Sequence, residues 1–364
     1  MGLALGAALV SGLFVLLAAA LKLAERLVLG GRPRKVAVND GARLVSCPPG
    51  ASLLEALLEA GIYLPASCAG RGACGLCKVR VLPGSDSGSG LATAAELPML
   101  SPEERAAGYR LACLLRPMGD VRIELPEEVL AARLGEAEVV GARRLTRDMR
   151  ELVLLPPAPI DVAPGQYVQV LCPSMDGPVF RAYSVLPEDG GRLRLLVKRV
   201  PGGAGSGYLH LLRPGGRVHL AGPYGSFRLS DDPSVELVLV AGGCVIAPAL
   251  SILRYSCARW PGRRAWLFVG VRSRGDVVFE DELADLGRSS PGLSACHVLS
   301  HPRRRDAWDG EIGLVHEAVA RRLPPGPGAG RQAYLCGPKP MLEATLRVLE
   351  SKGIPRRDVY CDTL

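Results

Sequence analysis

Cys68-Ala-Gly-Arg-Gly-Ala-Cys74-Gly-Leu-Cys77 places three cysteines and three glycines within ten residues, and Cys113 follows 36 positions later. No other stretch constrains the fold so strongly. Four thiolates can hold an iron–sulfur cluster. A loop wrapped round such a cluster needs backbone without side-chain bulk, which Gly70, Gly72 and Gly75 supply, so that amide N–H groups reach the sulfurs. A structural zinc site is the first competitor, but zinc ribbons usually show two close cysteine pairs and only one C-x2-C is present. Free loop cysteines are the second, and they leave the interleaved glycines unexplained. The pattern favours a [2Fe–2S] cluster on Cys68, Cys74, Cys77 and Cys113. The chain has eleven cysteines, an odd number that fits no disulfide scaffold. Cys47, Cys172, Cys244, Cys257, Cys296 and Cys361 have no partner at metal-ligand spacing and read as small buried side chains.

Leu3 to Leu21 contains nineteen apolar or small residues and no charge. That length is the threshold for a helix to span hydrocarbon. A core helix would show a polar stripe, and here only Ser11 and some glycines interrupt. A signal peptide cleaved near Ala18-Ala19-Ala20 is the rival, but no positive charge precedes the run. Lys22, Arg26, Arg32, Arg34 and Lys35 follow, opposed only by Glu25. The positive-inside bias puts everything downstream in the cytoplasm, where disulfides are disfavoured. The net charge of +8 is scattered and only 5% of residues are aromatic, so a nucleic-acid groove is excluded.

Residues 36–41 read as a strand entering an Asp-Gly hairpin turn. Ser52 with Glu55 forms a capping box for a helix that stops at Gly61. From about Gly135 the pattern changes to short β runs at 138–140, 151–155, 167–171, 193–198 and 217–220, the spacing of an antiparallel barrel. Residues 236–241 are continuously apolar, as in a buried parallel strand. They run into Gly242-Gly243 and then a helical stretch at 249–254, an arrangement that offers N–H groups to a pyrophosphate. Residues 266–270 and the run ending at Cys336 read as further parallel strands.

The cysteine stretch resembles a β-grasp [2Fe–2S] ferredoxin domain with the adrenodoxin-type C-x5-C-x2-C spacing. That is also the spacing in the family of F subunits of Na+-translocating NADH:quinone reductases, and residues 121–128 resemble that family's closing strand and linker. Arg181-Ala-Tyr183-Ser184, then Gly205-Ser206, then Gly222-Pro223-Tyr224-Gly225-Ser226-Phe227 resemble, in this order, the FAD motifs of the ferredoxin–NAD(P)H reductase superfamily. The resemblance implies that Arg181 pairs with a flavin phosphate, Tyr183 packs on the isoalloxazine and Ser184 sits near its reactive nitrogen. Gly205 and Ser206 would aim N–H groups at the pyrophosphate. Gly242, Gly243 and Pro248 resemble the G-G-x-G-x-x-P nucleotide turn, with Val245 in place of its last glycine and expected to crowd the dinucleotide. Arg272 or Arg274 would meet the adenosine ribose, with NADH favoured over NADPH. Cys336-Gly337-Pro338-Lys-Pro340-Met341 is similar to the C-G-P-x-P-M turn. There Cys336, Gly337, Pro338 and Met341 contact the nicotinamide, and Ser184 and Cys336 carry the catalytic roles. Trp308-Asp309-Gly310 and Gly313 match the same family.

The implied architecture is multidomain: an N-terminal transmembrane helix (1–30), a β-grasp [2Fe–2S] domain (31–128), an antiparallel β-barrel FAD domain (133–230) and an α/β parallel-sheet NAD(P)H domain (231–364). Hydride moves two electrons at once and a cluster takes one, so a flavin must stand between them. The resemblance implies a membrane-anchored NADH dehydrogenase on a bacterial inner membrane. Its partners would be other subunits of a membrane redox complex, with quinone reached only indirectly. Two departures stand out. The stretch from Leu171 to Arg181 is short where the family carries a long insertion, and Leu364 stands where the family has a shielding Phe. Two alternatives stay open: the reductase component of an oxygenase, and a non-catalytic Fe–S carrier whose decayed nucleotide site is signalled by Val245.

Overall fold

Val36, Val38, Val45 and Cys47 fall on one face of an antiparallel ribbon, and that face is buried. The ribbon is β1 (Arg34–Val38) and β2 (Arg43–Cys47) of a computed structural model. It describes residues 12–22, 24, 32–85, 91–175, 177–225, 227, 229–326 and 330–363. The chain divides into two compact units, Met1–Arg133 and Leu134–Leu364.

In the first unit the ribbon joins β3 (Lys78–Val81), β4 (Tyr109–Leu111) and β5 (Val121–Glu124) in the order β2-β1-β5-β3-β4. β1 and β5 run parallel and the other pairs antiparallel. Helix α1 (Leu53–Glu59) buries Leu53, Ala56 and Leu57 against this sheet. Each buried leucine contributes roughly 2 kcal/mol. The Ser52–Glu55 capping box forms as expected, with Ser52 Oγ accepting from Glu55 N and Glu55 Oε2 accepting from Ser52 N. Helices α2 (Pro102–Ala106) and α3 (Glu127–Ala131) complete the unit.

The expected transmembrane helix falls mostly outside the described residues, which omit 1–11 and 25–31. Residues 12–22 are helical and exposed, with Leu13 at 60% and Phe14 at 69%. No helix among the described residues is long and apolar enough to cross a membrane. Leu364 also lies outside the described residues.

The second unit opens with a closed six-stranded antiparallel barrel in the order β10-β7-β6-β11-β8-β9. Its strands are β6 (Arg133–Arg144), β7 (Met149–Leu155), β8 (Tyr167–Cys172), β9 (Val179–Glu188), β10 (Arg192–Lys198) and β11 (Arg217–Tyr224). Alternate residues such as Leu152, Leu154, Val168, Val170, Leu193 and Leu195 fill its interior. Helix α4 (Ala204–Leu211) packs on β8, β9 and β10.

A six-stranded parallel sheet follows, ordered β15-β14-β13-β12-β16-β17. The strands are β12 (Glu236–Gly242), β13 (Ala265–Val271), β14 (Leu293–Leu299), β15 (Glu311–Ile312), β16 (Arg331–Gly337) and β17 (Val359–Thr363). Helices α5 (Ile246–Arg259), α6 (Glu280–Ser289), α7 (Val315–Arg322) and α8 (Lys339–Ser351) cover it. Leu237, Leu239 and Ala241 face one apolar layer, Val238 and Val240 the other. This explains the unbroken apolar run in β12. The chain leaves β12 towards β13 on one side and returns as β16 on the other. Ligands of open α/β sheets bind at such a reversal, outside the carboxyl ends of the strands.

Candidate cofactor-binding sites

The backbone of the cysteine loop takes the left-handed region at Ala69 (φ 55), Gly70 (φ 77), Gly72 (φ 72) and Gly75 (φ 68). At three of the four positions only glycine adopts this without strain. The loop turns amides inward. Burial raises the Cys68 thiol, but N–H groups of Ala73, Cys74 and Arg71 and the Cys74 thiol outweigh it and lower its pKa. The Cys77 thiol donates to Cys113, which raises Cys77 and lowers Cys113, and Gly72 N–H adds to the lowering. Thiol hydrogen bonding thus links Cys68 with Cys74 and Cys77 with Cys113. A binuclear cluster needs two thiolates on each of two irons, whereas zinc needs four donors round one ion. The donor set therefore fits the binuclear cluster better than zinc.

In the barrel, Arg181, Tyr183 and Ser184 lie on β9, opposite Val170, Val168 and Tyr167 of β8. The start of α4 meets them. An added Cβ on Gly205 would stand 2.7 Å from Arg181 Cγ and 3.4 Å from Cys172 Sγ. Gly205 and Ser206 follow the N-cap Gly203, so their N–H groups point out of the helix's first turn. Ser206 also braces the loop before the helix, because its Oγ accepts from Val200 N at 3.0 Å. Burial raises the Tyr183 phenol, so it stays protonated at neutral pH. Cys172, read from sequence as a plain buried side chain, sits beside Arg181 and Gly205, and burial pushes its thiol up to about 11. The only sequence signal for it was its place at the end of a strand that pairs with the R-x-Y-S segment.

At the reversal of the parallel sheet, Ala241 on β12 pairs with Cys336 on β16. Added Cβ atoms show how close the two turns come: one on Gly242 would lie 2.9 Å from Met341 Sδ and 3.2 Å from Pro338 Cδ, and one on Gly337 would lie 2.5 Å from Met341 Cε. Gly242, Cys336, Gly337, Pro338 and Met341 therefore meet at one place. Gly243 needs its freedom, at φ 57. A 3-10 turn, Gly243–Val245, leads into α5, which starts before Pro248 rather than after it. Cys336 is fully buried. Val245 has a φ of −90°, which any residue adopts, and its side chain is 5% exposed. Arg272 stands apart, exposed beyond the end of β13. Arg274 is engaged elsewhere, 2.6 Å from Glu280 and over the Trp308 ring.

Three family models match in sequence: a 2Fe-2S iron-sulfur cluster binding domain over residues 36–118, an oxidoreductase FAD-binding domain over 136–229 and an oxidoreductase NAD-binding domain over 239–347. The reductase subunit of an aromatic O-demethylase from Amycolatopsis sp. is 35% identical, covering 89% of this chain and 97% of its own length. The chain belongs to the ferredoxin–NAD(P)H reductase superfamily. This reductase is also similar to the F subunit of the Na(+)-translocating NADH-quinone reductase of Actinobacillus succinogenes, 27% identical over 97% of this chain and 96% of the relative. Among solved structures, the Amycolatopsis cytochrome P-450 reductase GcoB superposes with a TM-score of 0.71 at 32% identity, covering 91% of this reductase and 98% of GcoB. The superfamily member described here is an oxidoreductase with [2Fe–2S], FAD and NAD domains in one chain.

Proposed function

We propose that this reductase oxidises NADH and releases the electrons singly, through its cluster, to a partner at a membrane. The hydrogen-bonded pairing of the four cysteine thiols carries the reading, since it suits a one-electron outlet for an electron path that starts at a nucleotide site. Bound FAD supplies the step between them, taking a hydride and giving up single electrons. Arg181 holds a flavin phosphate with its planar fork of donors, and Gly205 and Ser206 direct N–H groups at the pyrophosphate. Tyr183 and Ser184 line the ring. Gly242, Gly243 and Pro248 shape the turn that takes the NADH pyrophosphate, and Arg272 meets the adenosine ribose. Cys336, Gly337, Pro338 and Met341 shape the nicotinamide pocket and keep it dry. Cys68, Cys74, Cys77 and Cys113 ligate the cluster.

The partner is a quinone-reducing, Na+-pumping complex in the first reading. The uncharged run from Leu3 to Leu21 supports an inner-membrane anchor with the domains on the cytoplasmic side. So does the extent of the alignment with the Actinobacillus F subunit, which at 97% of the chain takes in most of that run. A second reading, an oxygenase as acceptor, is favoured by the connection between β8 and β9, which spans only residues 173–178. The alignment with the F subunit runs to 398 positions against a chain of 364, so that relative carries segments this chain lacks. The anaerobic spectrum of the purified protein tests the shared core: NADH is expected to bleach the flavin and then the cluster bands. A protein with both cofactors whose flavin stays oxidised under NADH would overturn it. Sodium-stimulated quinone reduction by native membranes, lost when this chain is removed, separates the first reading from the second.

A further inference from the structure

β10 has two faces. Leu193, Leu195 and Val197 point into the barrel core, while Leu196, with Met149 of β7 and Leu186 of β9, packs into the core of the nucleotide domain. The barrel and the parallel sheet therefore share an apolar seam. A buried ion cluster centred on Arg194 sits within it. Arg194, 6% exposed, places Nη1 3.3 Å from Glu151 Oε2 and 3.3 Å from Glu282 Oε2, and Nε 3.0 Å from Glu188 Oε1. Glu151 and Glu188 belong to the barrel, and Glu282 to α6 of the nucleotide domain. Outer arginines complete the junction: Arg143 lies 3.1 Å from Glu151 and Arg254 3.6 Å from Glu282.

The Arg194 guanidinium also lies 5.6 Å from the centre of the Phe279 ring. Phe279 caps α6 in the left-handed region, at φ 63 and ψ 25, an unusual place for a bulky residue. Such backbone persists only where the surroundings over-determine it. Here Arg194 holds the ring from one side. Next to it in the chain, the Val278 carbonyl is held by buried His297 of β14 at 3.2 Å. β10 also lies directly against the Gly243–Val245 turn. The same strand thus touches the nucleotide turn and anchors α6.

We propose that Arg194 is a positioning residue for hydride transfer. Its junction with Glu151, Glu188 and Glu282 sets how the nucleotide domain, and with it the Gly243–Val245 turn, seats on the flavin barrel. The inference rests on the NADH-to-flavin reading above. Reacting groups must be held within a fraction of an ångström, and a misplacement of about 1 Å can cost about 100-fold in rate. A flexible ammonium does not replace a fork that spans three carboxylates.

Glu282→Gln tests it in the full chain loaded with FAD and cluster. It removes only the nucleotide domain's charge and leaves Arg194 paired within the barrel, so the fold is kept. The limiting rate of flavin bleaching by saturating NADH is expected to fall at least tenfold, with half-saturation shifted less than twofold. The isotope effect with 4-deuterated NADH should rise, and electron delivery after dithionite reduction should stay unchanged. Arg194→Lys should slow bleaching at least as much as Glu282→Gln, since it loosens all three pairs. In the FAD-free protein, amide hydrogen exchange over residues 243–250 and 279–289 should accelerate. A bleaching rate within twofold of the parent sinks the inference, as does a slowed rate with unchanged exchange and lost FAD. Failure of the parent itself to bleach sinks the functional reading instead.

Discussion

An alanine at position 205 would drive its methyl to within 2.7 Å of Arg181 Cγ, so the glycine there is what lets the arginine cross the helix start. Gly205→Ala is expected to weaken FAD retention about tenfold, ~1.4 kcal/mol, with iron content unchanged. The flavin-to-iron ratio after gel filtration checks it. Cys77→Ser leaves one iron of the cluster with a single cysteine, and we expect the visible cluster bands and the iron to be lost while flavin remains. Glu96 lies elsewhere in the same unit, wholly buried. It accepts from Arg110 Nε and Nη2, from Leu111 N and from Thr93 N. Burial alone would raise its carboxyl; these donors outweigh burial and hold it below the usual range. A carboxyl lowered in the folded state stabilises fully above its unfolded pKa, and that stability fades as the pH drops through the folded value. Glu96→Gln is expected to cost about 3–5 kcal/mol by stranding Arg110. It should also flatten the acid limb of unfolding, followed through cluster absorbance against pH. The glycine at 205 was legible because a motif demanded it. Glu96 was not, since a carboxylate 14 residues from its arginine leaves no periodic trace.

Elements were legible where their demands are local. The Ser52 capping box is a four-residue pattern, and it forms. Ser52→Ala should cost about 1 kcal/mol of the first unit's stability, seen as a lower urea midpoint for loss of cluster colour. The nucleotide helix was read as 249–254, too short at both ends. Proline is tolerated in a first turn, whose N–H groups have no intrahelical partner, so α5 begins at Ile246. β9 was recognised by its R-x-Y-S motif and never as a strand. Its residues from Val179 to Ser184 are all half-buried, so the usual alternation of buried and exposed positions is blurred. Register, set by β8 and β10 on either side, was beyond any local pattern. The seam behind Arg194 was illegible for the same reason: in Arg192-Leu-Arg194-Leu, a charge facing another domain looks like one facing water.

At the scale of the molecule, a chain trimmed to residues 32–364 should be bleached by NADH as fast as the full protein. It should fail to sediment with anionic vesicles that retain the full protein. Equal sedimentation would remove the anchor from the functional reading. The three domains were legible in order because each announces itself through a turn or loop motif, whereas only an apolar run and a short β8–β9 connection bear on the acceptor. The polypeptide passes between its two compact units once, at Arg133–Leu134. The five-stranded sheet ends before that junction, which falls at the first residue of β6. Recombination just ahead of it, between α3 and β6, hands over a whole electron outlet without breaking a hydrogen-bonded ladder. A lineage can thereby change the client it powers while inheriting its fuel-oxidising half intact.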